Sequence, residues 1–461
     1  MKKFVNRDKE LKFLESEYKK GESSLVVVYG RRRVGKTSLI NEFCKDKRSL
    51  YFLATEEGDR QNLLSFQTLV ADFTNNELLQ QATFDNWNAV FSILSEYTTD
   101  KIVITIDEFQ YLGKSNVAFP SIFQKVWDTI LRDKNVMVIL CGSYLSMMES
   151  QTLDYNSPLY GRRTGQIKLK PIGFKDYHEF FAETLSHKEL IDLYAVTGGV
   201  PKYIEVFNQG ENVFQSISDN ILNKSSFLYD ETNFLLHREV KEVGTYFSII
   251  RTIAEGNRKL AQIAGKLSVA QSSLSKYLST LIKLDILERE VPITEVNPQK
   301  SKKGLYKVKD NYILFWFLFI YPNLNFIESD NSGIVANKIA ANFYDRHAAF
   351  VYEDICIQKM WELSSANCFA FHFDKVGRWW DKSNEIDVVA IDSESGNMIF
   401  GECKYIKGRV GLNILQKLEE KAKQVKYSKR GVACFVLFAV NGFTDELIEL
   451  EKSRSDLVLS R

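Results

Sequence analysis

Apolar residues in the first third of the chain fall in short unbroken runs: SLVVVYG (24–30), SLYFLAT (49–55), KIVITIDE (101–108) and VMVILCGS (136–143). Between the runs, apolar positions recur every three or four residues, the spacing of one helix face. An unbroken run is a strand buried on both faces. Such runs alternating with helices predict a parallel sheet covered by helices on each side. The pattern changes near residue 171. From there to about 240 it is helical, including FKDYHEFFAETL and a break at TGGVP (197–201). Residues 241 to about 325 read as helix, helix, turn, helix and a hairpin. The last segment, from about 335, starts with a helix and continues as strands in the 370s and over 386–392, 398–405 and 433–440 around further helices. The expected class is α/β in four parts: a parallel-sheet core over 1–170, a helical lid over 171–240, a helix-turn-helix with a wing over 241–325, and a second α/β domain over 335–461.

The most apolar run is YILFWFLFIY (312–321). A bilayer span takes about 20 residues, so this run reads as a buried core element and no membrane association is expected. The N-terminal stretch MKKFVNRDKELKFLESEYKK is charged throughout, with no apolar signal region. With 461 residues, 45% hydrophobic and 26% charged, the composition is globular and suits two to four domains. A net charge of +1 gives no global attraction to nucleic acid or membrane, so any such contact must come from local patches. The six cysteines (44, 141, 356, 368, 403, 434) form no CxxC pair. They point to reduced thiols in a cytoplasm rather than to disulfides or a zinc site.

Chemistry enters at GRRRVGKT (30–37), which follows a predicted strand and precedes a predicted helix. That context makes it a phosphate-binding P-loop. The cradle is Gly30, Arg31, Arg32, Arg33, Val34, Gly35, Lys36, Thr37 and Ser38. Backbone N–H groups wrap the phosphates, Lys36 meets the β- and γ-phosphates, and the Thr37 hydroxyl binds Mg²⁺. IVITIDE (102–108) ends in two acids. Asp107 is placed to hold the Mg²⁺ water shell, and Glu108 to orient and activate the attacking water. The next run ends in Cys141, Gly142 and Ser143, where Ser143 either senses the γ-phosphate or caps the following helix.

This set resembles the archaeal-type ATPase family, in the STAND branch of the AAA+ ATPases. FVNRDKEL (4–11) is similar to the family's opening element: Arg7 and Glu10 match, and Asn6 replaces a glycine. SPLYGRRTGQIKLKP (157–171) looks like the post-sensor segment, and TGGVP like the GxP element of the lid, with Gly199 and Pro201 matching. The resemblance implies ATP and Mg²⁺ as cofactors and a place for Arg7 at the nucleotide site. It also implies that Arg162 or Arg163 reads the γ-phosphate, in cis or from a neighbouring subunit of a nucleotide-dependent homo-oligomer.

In the middle segment, KLAQIAGKLSV (259–269) has one apolar helical face. The helix after the break turns Leu274, Leu278, Leu281 and Leu284 inward and Gln271, Ser272, Ser273, Ser275, Lys276 and Ser279 outward. Short polar side chains with one lysine suit a major groove. The hairpin carries Lys300, Lys302 and Lys303 near its tip, within reach of phosphates. The whole reads as a winged helix-turn-helix that either binds DNA or serves as a protein–protein spacer.

In the last segment, EIDVVAID and MIFGECKY are strands joined through SESGN. An even loop sets Asp387 opposite either Glu402 or Lys404. Both registers put the three side chains on one face. Two carboxylates suit Mg²⁺ or Mn²⁺, and a lysine beside them positions a nucleophile or offsets charge. Glu353 sits on a helix face with Ala349, Phe350, Cys356 and Ile357. If buried, it needs a partner, a metal or Lys404; otherwise it is a surface residue. Glu353, Asp387 and Glu402-Cys403-Lys404, with GRWWDKSNEID (377–387), resemble the PD-(D/E)xK nuclease superfamily, a restriction-endonuclease-like fold. That resemblance implies metal ligation by Glu353, Asp387 and Glu402. Lys417, Lys421, Lys426 and Lys429 on the next helix either track a phosphate backbone or face solvent.

The expected protein is thus a cytoplasmic Mg²⁺-dependent ATPase whose nucleotide switch controls a DNA-binding winged helix and a metal-dependent nuclease domain. One competing expectation is a nucleotide-gated regulatory protein whose C-terminal domain binds without cutting. Another is a chaperone-like ATPase acting on protein.

Overall fold

The computed structural model describes residues 4–76, 84–181, 185–207, 212–427 and 431–461. It divides into two compact units, whereas the sequence pattern suggested four parts. The first unit is the chain up to Ile172 with Val200–Lys202 and His237–Lys241, and the second is the remainder.

The first unit is built on a five-stranded sheet: β1 (Ser24–Tyr29), β2 (Ser49–Leu53), β3 (Ile102–Asp107), β4 (Val136–Gly142) and β5 (Gly165–Lys168). Their order is β2-β3-β4-β1-β5 and every pairing is parallel. All residues of β1, β3 and β4 are buried, which is why these segments read as unbroken apolar runs. Leu39, Ile40 and Phe43 of the helix Lys36–Cys44 pack on Val26, Val28, Val103 and Ile139. A second cluster is aromatic: ring centroids lie 5.1 Å apart for Phe52–Phe66, 4.8 Å for Phe66–Phe91 and 4.9 Å for Trp87–Phe119. Because β4 lies between β1 and β3, the loop after β1 and the acids ending β3 flank the end of β4. Ligands in parallel α/β sheets bind at such carboxyl ends.

The second unit begins with helices. His187–Thr197 opens on a capping box between Ser186 and Glu189 and closes at Gly198 in the left-handed region, φ 59°. The run 312–321 is a buried helical segment, with Phe247 set 5.9 Å from Trp316 and 5.1 Å from Phe317. Among the described residues no helix is long and apolar enough to cross a membrane. Three helices, Val243–Ala254, Leu260–Leu267 and Gln271–Lys283, lead into an antiparallel ribbon of β6 (Leu287–Glu290) and β7 (Leu305–Val308). Leu274, Leu278 and Leu281 are buried, while Gln271, Ser272, Ser273, Ser275, Lys276 and Ser279 are exposed.

The unit ends in a mixed sheet of β8 (Lys375–Trp380), β9 (Glu385–Ile391), β10 (Met398–Lys404), β11 (Ala433–Ala439) and β12 (Leu457–Ser460). β8, β9 and β10 are antiparallel, while β10, β11 and β12 are parallel. Val389, Ile391, Phe400 and Leu437 pack against Leu415 and Leu418 of the helix Leu412–Ala422. Pairing of β9 with β10 runs as far as Val388 opposite Gly401, so the next step sets Asp387 opposite Glu402. A Cβ on Gly401 would come within 2.9 Å of Val388 and 2.8 Å of Val436, so glycine keeps this register tight.

Candidate functional site

The loop after β1 folds as its sequence dictates. Arg33 (φ 70°) and Gly35 (φ 94°) take the left-handed conformation, and a Cβ on Gly30 would collide with the carbonyl of Leu169. A P-loop needs such turns to aim successive N–H groups inward. Lys36 is only 7% exposed, and its ammonium donates to the carbonyls of Gly30 (2.8 Å) and Arg31 (3.1 Å). Burial lowers its pKa, so the charge sits where an anionic ligand would be strongly attracted. Arg32 donates to the Tyr111 hydroxyl at 3.3 Å, Val34 is buried, and Ser38 lies exposed in the first helical turn.

Asp107 closes β3 next to the loop. Its Oδ2 accepts from Thr37 Oγ1 (3.3 Å) and from the Tyr51 hydroxyl, and its Oδ1 accepts from the Glu108 N–H (2.8 Å). Glu108 is left-handed, φ 53°, a costly conformation that its contacts hold in place. Ser143 Oγ donates to its carboxylate at 2.8 Å and Ser143 N–H at 3.3 Å, with Gln110 as a further donor. Ser143 therefore does not cap the next helix, whose N-cap is Tyr144: it holds the acid. Tyr51 and Gln110 went unread, because nothing in their local sequence marks them as partners of the two acids.

The arginines are placed differently. Arg7 is buried and donates to the carbonyls of Val34 (3.1 Å) and Lys170 (2.6 Å), bracing the P-loop from behind. The turn that delivers it has Asn6 at φ 53°, a conformation asparagine tolerates in place of glycine. Arg162 pairs with Asp128 at 3.1 Å, and Arg163 donates to the carbonyls of Thr152 (3.1 Å) and Leu153 (3.2 Å). Pro201 of the TGGVP turn stands 3.9 Å from where a Cβ of Gly35 would be.

In the second unit, β9 and β10 gather Asp387, Glu402 and Lys404. Lys404 Nζ donates to Glu402 at 2.7 Å, and Lys421, from the helix Leu412–Ala422, reaches both Glu402 oxygens at 3.0 and 3.2 Å. Asp387 accepts from the Cys403 N–H at 2.9 Å. Burial and then the Glu402 charge push its pKa up to about 6. Burial opposes the charge on Lys404, but Glu402 outweighs it and the pKa rises. Lys417 and Lys426 are exposed, and Lys429 lies outside the described residues. Lys421 thus belongs to the carboxylate site rather than to an open basic row.

Glu353 departs from expectation. Its ion-pair partner is Arg378 on β8, at 3.0 Å, rather than Lys404. Arg378 also meets Asp354 (2.8 Å) and Glu290 of β6 (2.5 Å), and Lys307 of β7 pairs with Asp354. Phe350, on the supposed apolar face, is 46% exposed, and the buried residues of this helix around Glu353 are Val351, Tyr352, Ile355 and Cys356. Burial pushes Glu353 up to about 8 against the pull of Arg378. Among the described residues, no three His, Cys, Asp or Glu side chains are grouped to hold a metal. The fit to a divalent cation in this unit therefore rests on Asp387 and Glu402 alone. In the first unit, Thr37 and Asp107 supply suitable hard oxygen donors beside the phosphate cradle.

A parallel sheet with β4 between its P-loop strand and its acidic strand, Lys36 in the loop and Asp107-Glu108 alongside define a P-loop ATPase domain. The model for an ATPase domain predominantly from Archaea matches residues 4–207. A family described as archaeal and bacterial proteins of unknown function matches 316–424. Over 424 residues, 92% of each chain, the sequence is 37% identical to the uncharacterized protein MJECL04 of Methanocaldococcus jannaschii. The chain belongs to the same family as that protein. It is also similar to the uncharacterized ATP-binding protein MJ0423 of that organism, 51% identical over 45 residues, 10% of this chain and 76% of that one. In fold it resembles the Walker-type ATPase PABY2304 of Pyrococcus abyssi, with TM-score 0.52 and 20% identity over 68% of this chain and 96% of that one.

Proposed function

We propose that this protein hydrolyses ATP with Mg²⁺ and uses the nucleotide state to control a DNA-directed C-terminal domain with a metal-dependent nuclease site. In the first unit the chain's own groups divide the work. The P-loop N–H groups and Lys36 bind the phosphates, Thr37 and Asp107 would hold Mg²⁺, and Glu108, freed from Ser143, takes the proton of the attacking water. Mg²⁺, when bound, supplies charge stabilisation at the phosphates. The helices Leu260–Leu267 and Gln271–Lys283 with the β6–β7 ribbon would act as a winged helix-turn-helix, its polar exposed face in the major groove. The α/β sheet at the end of the chain would be of the restriction-endonuclease-like type.

The observation that carries the nuclease part is the gathering of Asp387, Glu402 and Lys404 on one face. There the two carboxylates would hold Mg²⁺ or Mn²⁺ and Lys404 would orient a nucleophile at a phosphodiester. The test incubates wild type and Lys404→Ala with plasmid, linear and single-stranded DNA, Mg²⁺ or Mn²⁺, and ATP or ADP. The expected result is cleavage by wild type alone. No cleavage under any condition rules out the nuclease, and equal cleavage by both rules out this site.

A second reading, a nucleotide-gated DNA-binding regulator that does not cut, is favoured by one arrangement. Glu402 is held by two lysines and Glu353 by Arg378, so the third acid of a nuclease triad is withheld. DNA binding without cutting would select it. The lack of any DNA binding or DNA-stimulated turnover would favour an ATPase acting on protein. A cytoplasmic setting and nucleotide-dependent self-assembly complete the proposal. Light scattering with ADP and with a non-hydrolysable ATP analogue checks the assembly, which equal masses would exclude.

A further inference from the structure

The second unit holds a cavity of about 350 Å³ that none of Asp387, Glu402 and Lys404 lines. Much of its wall is apolar. Ile253 and Ala254 close the helix Val243–Ala254, Val308 closes β7, and Leu314 and Leu318 belong to the helical run 312–321. Concave, mainly apolar walls with a few polar groups are the form of a small-molecule site. The helix Ala349–Ser365 supplies the rest. Phe350 lines the cavity with nearly half of its surface open, and one turn later Glu353 lines it beside Arg378 of β8.

The charges around Glu353 are uneven. Arg378 donates to three carboxylates, those of Glu290, Glu353 and Asp354. Glu290 has a second cation in Arg258 at 2.6 Å, and Asp354 has a second in Lys307. Glu353 forms no second ion pair among the described residues. Arg378 reaches it through Oε2 alone, with Nε at 3.2 Å and a terminal nitrogen at 3.0 Å, and no described group donates to Oε1. Glu288 adds a fourth acid, 3.6 Å from Lys307. Four carboxylates thus share the three cations Arg258, Lys307 and Arg378. A carboxylate that is out of bulk water and undercompensated is stabilised by one more positive charge.

We propose that this cavity binds a small organic cation: an amidinium or ammonium group carried on an apolar body. Glu353 Oε1 accepts its N–H donors, the Phe350 ring lies against the charge, and the wall from Ile253 to Leu318 takes the apolar part. One open carboxylate oxygen offers too few donors for a divalent metal, which would also gain nothing from apolar walls. An anion would meet the surplus of carboxylates. The lining comes from the helix–ribbon segment on one side and from Ala349–Ser365 with β8 on the other, so a bound cation ties these parts together.

Isothermal titration calorimetry on the full-length protein tests the proposal, with benzamidine as the cationic probe and benzyl alcohol as a neutral one of similar size. Benzamidine should bind wild type saturably at millimolar concentration or below, at least about tenfold more tightly than benzyl alcohol. Glu353→Gln keeps the shape of the side chain and removes its charge. It should weaken benzamidine at least about tenfold and leave benzyl alcohol within about twofold. Ala254→Phe keeps Glu353 and puts a ring into the cavity from its wall, so it should weaken both probes. No saturable binding of benzamidine to wild type overturns the proposal, as does equal affinity for the neutral probe. Undiminished benzamidine binding in either variant overturns it as well, because the charge or the ring would then sit elsewhere.

Discussion

The two sites use the same residue types in opposite ways. In the P-loop, Lys36 donates to backbone carbonyls, and the acids nearby are held by hydroxyls: Thr37 and Tyr51 on Asp107, Ser143 on Glu108. Hydroxyls and carbonyls orient a charge without cancelling it. The C-terminal site instead pairs its charges with each other, with Lys404 and Lys421 both on Glu402 and Asp387 close by. Two acids and two lysines sum to zero. The first site is thus preorganised for a highly charged ligand, the arrangement that gives electrostatics most effect. A cation entering the second must first displace an ammonium group.

The largest effects are expected where charge is left uncancelled. Lys36→Ala should remove ATP turnover, read as phosphate release. Glu108→Gln should keep nucleotide binding and lower turnover by roughly 10²–10⁴-fold, the usual contribution of a general base. Normal turnover in Lys36→Ala would break the comparison, since the P-loop charge would then be dispensable. At the C-terminal site the direction reverses. Lys421→Ala takes away one cancelling charge, so Mn²⁺ should bind about tenfold more tightly, worth about 1.4 kcal/mol. Electron paramagnetic resonance of free Mn²⁺ measures this, and weaker binding in the variant would mean that Lys421 helps assemble the site rather than block it.

Burial and sequence distance decide which parts were readable in advance. The strands of the first sheet announce themselves because both faces are buried. β5 does not, since in Gly165–Lys168 only Ile167 is buried. The P-loop was legible because its ligands are backbone groups within one short stretch. Arg378 was not legible as the partner of Glu353, because 25 positions separate them and only the pairing of β8 with β9 brings it there. Lys421 looked like one of a row, since the sequence gives the face of its helix but not which turn lies over β10.

Glu353 offers a smaller test. Burial holds its pKa near 8, above the ordinary 4.5, so the folded state keeps the proton more tightly than the unfolded chain. Stability from this group is greatest at low pH and falls as pH rises from about 4.5 to 8. Glu353→Gln should flatten that decline, seen as a smaller loss of Tm between pH 6 and 8.5. An unchanged slope would place the charge of Glu353 fully on Arg378 at neutral pH.

The smallest expected effect lies at the ribbon, where the contrast between cancelled and open charge recurs within three lysines. All three are exposed on the connection between β6 and β7, but Lys303 is ion-paired with Glu295 at 2.7 Å. A lysine that contacts a phosphate releases a counterion, so its loss lowers the slope of log affinity against log salt by about 0.9. Lys300→Ala and Lys302→Ala should each weaken duplex binding and reduce that slope by up to this amount. Lys303→Ala should do less, because DNA must first compete with Glu295. Titrations of a labelled duplex at several salt concentrations separate the three. A slope unchanged from wild type in all three variants would mean that the ribbon does not meet the backbone, leaving the exposed face of Gln271–Lys283 as the contact to examine.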